Sequence, residues 1–409
     1  MKKLYLLPLG ALLLTACSNA DDDNLPTLSN KTYEGLTELN LIYDKAPMVG
    51  KSATFSDNQL TFDSKVDLGS LSEALKTLPP IAGPGVLPGS PVVTVPLTLE
   101  PNNDKYSFAG SGETGFVTYS YLGSLTENKL DFYFYNVKLK NAHLSTRTWK
   151  PAPADASNGS SPFHIVWETS QPGLLEYFDG SIEDALKLLA QLPMIPAYGN
   201  TAYMSPTQAV SNGLKTLSFN DDGNLVLTYL QSANGAAQFA QAPICMLQYA
   251  VLEEGTAKLF INPTDLISLI IINNTNKPNI PEHPFGKSAT RGDISATLAD
   301  ILGLFSPEEL QQIFATVSPM LSQGFPIKYT ANGTHLDVFM PTEVLVPIIK
   351  NFIAPMLAKP EVQEMIATKL AQSTTLQPYM PMIKAFMVAL PLIMETTTKA
   401  EIGLSLVAY

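Results

Sequence analysis

The sequence predicts an α+β fold. An antiparallel β meander, closed as a barrel or folded as a sandwich, precedes an α+β domain carrying a duplicated hairpin-helix unit. Three observations predict it. Between Leu39 and Leu139, short runs of alternating apolar and polar residues recur with Asn, Asp, Gly and Pro turns between them. Beyond residue 162, similar runs mix with segments of helical period. Finally, the stretch from Gly255 through Pro263-Thr264-Asp265 to Asn273 lies without a gap over Gly333 through Pro341-Thr342-Glu343 to Asn351. In each copy a hairpin turn leads to a proline suited to a first helical turn, and an acid two residues later meets the helix dipole.

The chain has 409 residues, of which 45% are hydrophobic and 15% charged. Single cores stop growing at roughly 250–300 residues, so two domains are expected. The 32 prolines and 25 glycines argue against long helical bundles. A formal net charge of −12 repels phosphate backbones and anionic headgroups, so no nucleic-acid partner is expected.

Residues 1–16 read as a secretory signal. Lys2 and Lys3 precede the apolar run Leu4–Leu14, which is too short to span a bilayer and ends in small residues. A tether follows at 17–34. The β domain occupies 35–150, with strands at Leu39–Tyr43 and Ser52–Phe55, a turn at Asp57-Asn58, and a strand at Gln59–Phe62. Leu71–Leu78 reads as a short helix stopped by Pro79-Pro80. Four further strands follow at Val92–Leu99, Lys105–Gly110, Gly115–Leu122 and Lys129–Leu139.

Residues 151–161 form a Pro/Ala/Ser/Asn/Gly linker to the second domain at 162–409. That domain opens on the strand Phe163–Trp167, and Ser181 caps a helix running to Leu192. Hairpins are expected at Leu214–Leu230, at Ile244–Ile261 and over 325–340. Helices are expected near 294–303, 307–321, 342–357, 361–371 and 379–394, and a last strand at Glu401–Ala408. Residues 273–292 read as a polar loop.

Leu14-Thr15-Ala16-Cys17 resembles the lipobox of bacterial lipoproteins. The resemblance implies cleavage before Cys17, a thioether-linked diacylglycerol on its sulfur and a third acyl chain on its new amine. Three chains anchor far more firmly than one, at roughly 0.8 kcal/mol per buried methylene. Asp21, Asp22 and Asp23 resemble the export signal that sends lipoproteins of Bacteroides and its relatives to the cell surface; the alternative is a solvated tether facing the periplasm. With Cys17 lipidated, Cys245 has no disulfide partner, and its run Ile244-Cys245-Met246-Leu247 reads it as a small buried hydrophobe.

Stretches such as Ser161–Glu168, Asp222–Val226 and Phe260–Pro263 are similar to those of uncharacterised Bacteroides-type outer-membrane lipoproteins with a calycin-like amino-terminal part. That resemblance implies no established activity. The membrane, through the lipid anchor, is the expected partner.

Two surfaces are candidates for a ligand or partner. Alternation places Phe132 and Phe134 on one strand face and Tyr133 and Tyr135 on the other; Tyr119 and Tyr121 share a face of the preceding strand. With the phenylalanines inward, the four tyrosines are expected to form an outer stripe for a glycan or an envelope protein. Met380, Met382, Phe386 and Met387 fall in the apolar segment 376–394 and are candidates for an apolar pocket. The four histidines are scattered, so no metal site is expected. No cofactor fingerprint or nucleophile elbow occurs. His164 and Glu168, on one strand face, form the single acid-base pairing singled out. The leading expectation is a non-catalytic binding or accessory lipoprotein; the rivals are a structural or adhesive surface protein and a hydrolase of polymeric substrate.

Overall fold

The computed structural model describes residues 27–66, 80–145, 147–155, 160–171, 173, 181–193, 195–196, 203–233, 236–263, 307–371 and 376–409. Cys17, Asp21–Asp23, the helix expected at 71–78, the loop at 273–292 and the helix at 294–303 lie outside them. The described chain is α+β, built mostly of antiparallel sheets with some helices.

The first unit runs β1 (Lys31–Glu34), α1 (Gly35–Glu38), β2 (Leu39–Tyr43), β3 (Ala46–Pro47), β4 (Ser52–Ser56), β5 (Gln59–Asp63), β6 (Lys65–Val66), β7 (Ile81–Ala82), β8 (Val93–Pro96), β9 (Glu100–Asn102), β10 (Lys105–Glu113), β11 (Val117–Leu125) and β12 (Leu130–Leu139). Two main sheets result, in the orders β1-β4-β5-β8 and β3-β2-β12-β11-β10-β9, and β6 pairs with β7 apart from them. The β4–β5 hairpin turns on Asp57 and Asn58, both at positive φ, the geometry that a two-residue hairpin turn demands. The meander ends on a parallel pair, β12 with β2. No ladder joins the edges of these two sheets, β1 and β8 of one and β3 and β9 of the other, so the barrel is not closed.

The two sheets meet through aromatic rings. Phe62 of β5 packs edge-on against Phe132 at 4.7 Å and against Phe134 at 5.5 Å between centroids. Offset and edge-on pairs add to the area that such rings bury.

The second unit contains β13 (Thr148–Pro151), β14 (Phe163–Thr169), α2 (Ile182–Leu189), β15 (Ile195–Pro196), β16 (Tyr203–Met204), α3 (Pro206–Gly213), β17 (Leu214–Phe219), β18 (Leu225–Ala233), β19 (Ala236–Gln241), β20 (Leu247–Glu253) and β21 (Thr256–Ile261). After α4 (Pro307–Gln323) come β22 (Phe325–Asn332), β23 (His335–Met340), α5 (Thr342–Ile348), a π turn at Ile349–Ile353, α6 (Ala354–Ala358), α7 (Pro360–Ala371), α8 (Met380–Thr396) and β24 (Thr397–Ala408). Ser181 accepts from the Asp184 amide and Ser205 from that of Gln208, so α2 and α3 start on side-chain caps. Cys245 is buried as expected, but Ile244–Met246 form a turn before β20 with Cys245 at φ 69°.

β24 is the spine of a ten-stranded sheet. It pairs β23 along one edge; along the other it pairs β14 and then β13. The expected strand began at Glu401. It begins instead at Thr397, where α8 passes into it without a loop, because Thr397 takes up Trp167's indole N–H and Ala400 is gripped by Thr342.

The β17–β18 turn does more than close the expected hairpin. It is a junction. Tyr43 donates its hydroxyl to the Asp222 carbonyl, the Leu139 amide donates to Asp221, and the Tyr249 hydroxyl donates to Asn220. Gly223 sits at φ +84°, and a Cβ there would come within 2.5 Å of Pro88. Buried side chains of both units, from Tyr43 and Phe134 to Tyr249 and Leu406, accordingly form one continuous core.

Burial pushes the Asp222 carboxyl above its ordinary value, against hydrogen bonds from the Asn224 amide and side chain. The folded state therefore holds this proton more tightly than the unfolded chain, whose Asp titrates near 3.9. Relative to Asp222→Asn, the natural protein is expected to lose stability as pH rises from about 4 through the raised value, with a constant difference above it. Urea denaturation of both across pH 4–8 checks this; a difference growing in favour of aspartate with pH contradicts it.

Candidate binding face on the six-stranded sheet

Strand β12 sets the site. Its residues alternate as the pattern predicts: Leu130, Phe132 and Phe134 are buried, and Asp131, Tyr133 and Tyr135 face away from the core. The expected four-tyrosine stripe does not form. Tyr119 and Tyr121 are only 6% and 4% exposed and lie with the phenylalanines. The ladder gives the reason: Tyr121 is the partner of Phe134, whereas Tyr133 and Tyr135 stand opposite Leu122 and Ser120. Partners across a ladder share a face.

Glycines make room for the inward tyrosines. A Cβ on Gly110 would lie 2.4 Å from the Tyr121 hydroxyl, and one on Gly112 would lie 2.6 Å from that of Tyr119. Gly110 and Gly112 are strand residues that receive rings from β11. The Tyr121 hydroxyl donates to the Pro96 carbonyl at 2.6 Å, holding β8 to the aromatic layer. Burial raises both phenols, and Tyr119 is raised further by Tyr121.

The outward side is different in chemistry. Tyr133 and Tyr135 make no ring contact and no side-chain hydrogen bond among the described residues. Leu122 beside them is 43% exposed. A bulge follows: the register slips between Thr118 and Ser120, and Asn136 takes φ 50°. Bulges re-aim side chains. Here the bulge leaves Asn136 exposed directly after Tyr135, before Val137 returns to the core. Next to it lies an open cleft of about 450 Å³ lined by Ser111, Gly112, Glu113, Thr118, Tyr119, Ser120 and Asn136. Its one carboxylate, Glu113, is paired with Lys140 at 3.0 Å. At the other end of β12, Asp131 accepts from Asn40 and from Lys129, both at 2.9 Å; these bonds outweigh burial and hold it below the usual carboxylate range.

The methionine-rich candidates do not gather around one space. Met382 packs with Leu192 and Leu376, Phe386 packs on the separate cluster around Trp167 and Ile393, and Met387 is buried along α8. Met380 is half-buried at the start of that helix. Residues Gln377–Thr396 are long and apolar enough to cross a membrane by length and composition alone, and Val388 and Leu392 lie exposed on them.

His164 and Glu168 do not pair. Glu168 is exposed opposite Lys399, and His164 meets Glu401 at 3.0 Å with Asp337 at 3.9 Å from its other nitrogen. Phe339 stacks on the imidazole at 4.4 Å. The Ser405 hydroxyl donates to Asp337 and not to the imidazole, so this group lacks the serine-to-base bond of an activated nucleophile. It ties β14, β24 and β23 together. A second cleft, about 600 Å³, lies between the Lys150–Ala154 segment and Gln208, Ser211 and Asn212 of α3. Among the described residues no group of three or more His, Cys, Asp or Glu side chains is arranged to hold a metal ion.

Comparison with protein-family models, curated proteins and solved structures finds no match to this chain.

The glycine-ring packing is testable. Gly110→Ala is expected to destabilise the protein by about 1–3 kcal/mol, because Tyr121 is held at both ends. Gly115→Ala, where a Cβ meets nothing within 4 Å, is expected to be close to neutral. Chemical denaturation of the two variants checks this; equal effects contradict it.

Proposed function

We propose that this protein is a lipid-anchored, non-catalytic binding or accessory lipoprotein of the bacterial outer membrane, displayed at the cell surface, whose β unit engages its partner through the outward face of the six-stranded sheet. The observation that carries the binding role is the pair Tyr133 and Tyr135, half-buried on the outward face of the sheet, without a side-chain partner among the described residues and near an open cleft. Aromatic residues with one apolar face and one polar tip are favoured where a surface meets a ligand. The anchor rests on the lipobox ending at Cys17, and display rests on the acidic run Asp21–Asp23. Lipid holds the protein to the membrane, so the sheets are free to carry the binding role.

The architecture of this reading is a calycin-like meander left open between its two main sheets, followed by a duplicated hairpin-helix unit. Supporting the duplication, Gly255 and Gly333 turn the two hairpins at φ 84° and 58°, the hairpins are neighbours through β21 and β22, and α5 follows the second.

A photo-crosslinking residue in place of Tyr135, with one in place of Thr94 on the other sheet as control, tests the role in living cells. Thr94 is exposed on β8. The expected result is a discrete adduct from position 135 that is absent from position 94. No adduct at 135, or equal labelling at both positions, overturns the assigned face.

A further inference from the structure

We propose that this face binds an uncharged saccharide chain, with Tyr133 and Tyr135 as the stacking platform and Ser111, Ser120 and Asn136 as its hydrogen-bonding edge. The proposal rests on the reading of this face as the interaction surface and names the chemistry it takes.

The two rings project from the same side of one strand, two residues apart, which places them about 6.7 Å from each other along β12. A pyranose ring presents C–H bonds on its broad face and hydroxyls around its rim. A row of aromatic rings with small polar side chains at its border matches that pattern. Ser120 is the ladder partner of Tyr135 and of Ser111, and the bulge turns Asn136 outward next to Tyr135. Hydroxyls and an amide can donate and accept, as a sugar rim requires. Ala109 and Ser111 keep β10, the strand beyond β11, low, so a chain can lie across the sheet without entering a pocket.

The charges argue for a neutral ligand. Glu113 is satisfied by Lys140, and Asp131 by Lys129 and Asn40. Lys138, exposed opposite Thr118, stands at the margin with no ion-pair partner among the described residues. One lysine does not make an anion site on a chain of net charge −12. Single-stranded nucleic acid also stacks on aromatic rings, but it needs a basic groove along its backbone. An apolar ligand needs an enclosed apolar pocket, and this cleft is open and hydroxylated.

The lipidated protein in detergent is to be probed on an array of neutral and acidic oligosaccharides, followed by calorimetry with the neutral oligosaccharide bound best. The expected result is binding to neutral chains, weakened about tenfold or more in the Tyr133→Ala/Tyr135→Ala double variant. The Tyr133→Phe/Tyr135→Phe variant should bind within about threefold of the natural protein, because the rings remain. Unchanged thermal unfolding of both variants separates lost binding from lost folding. Binding to acidic chains alone, or neutral binding indifferent to the alanine pair, overturns the proposal. An array with no neutral ligand, together with a position-specific adduct at residue 135 in cells, overturns the saccharide and leaves the interaction face standing. Silence in both experiments overturns both.

Discussion

The register between β11 and β12 decides the chemistry of the first unit. With Tyr121 opposite Phe134, four aromatic side chains turn to one side, and the sheet acquires an inner face that Phe62 can cap. Shifting that pairing by one residue, with β12 in place, would move Tyr119 and Tyr121 into water and strip Phe134 and Phe132 of the tyrosine rings packed on them. The same register leaves Tyr133 and Tyr135 outside. Core and candidate site are therefore two sides of one ladder, set by the same register.

Two further devices hold the molecule together. β24 pairs with three different strands, so the C-terminal segment joins regions that are far apart in sequence. The Asn220–Gly223 turn is pressed between the units, taking hydrogen bonds from Tyr43, Leu139 and Tyr249. Polar groups at such a junction need partners where water is displaced; here both units supply them. The cost falls on Asp222, whose carboxylate is shielded from water.

Much of the secondary structure was legible, because alternation and turn chemistry are local. The β4–β5 turn, the Ser181 cap, the Leu214–Phe219 strand and the helix at 307 all follow from neighbouring residues. The faces of Tyr119 and Tyr121 were not read correctly, since alternation fixes faces only within one strand. A signal was present: a tight turn after Glu113 forces Gly112 opposite Tyr119 and Gly110 opposite Tyr121, and rings above glycines pack inward. The polar group around His164 was beyond sequence reasoning, because Glu401 lies 237 residues away. The setting of Asp222 was hidden for the same reason: its turn is ordinary in sequence and becomes special only through Tyr43 and Pro88.

One ladder thus sorts four tyrosines into two roles, a pair that packs and a pair that is offered to a partner, while a bulge supplies the polar border. Nitration of the folded protein by tetranitromethane, mapped by peptide mass spectrometry, tests that sorting most directly. Tyr133 and Tyr135 are predicted to be modified well ahead of Tyr119 and Tyr121, whose phenols are buried and raised in pKa. Modification of Tyr119 and Tyr121 first, or of all four at one rate, would contradict the register and with it the assigned face.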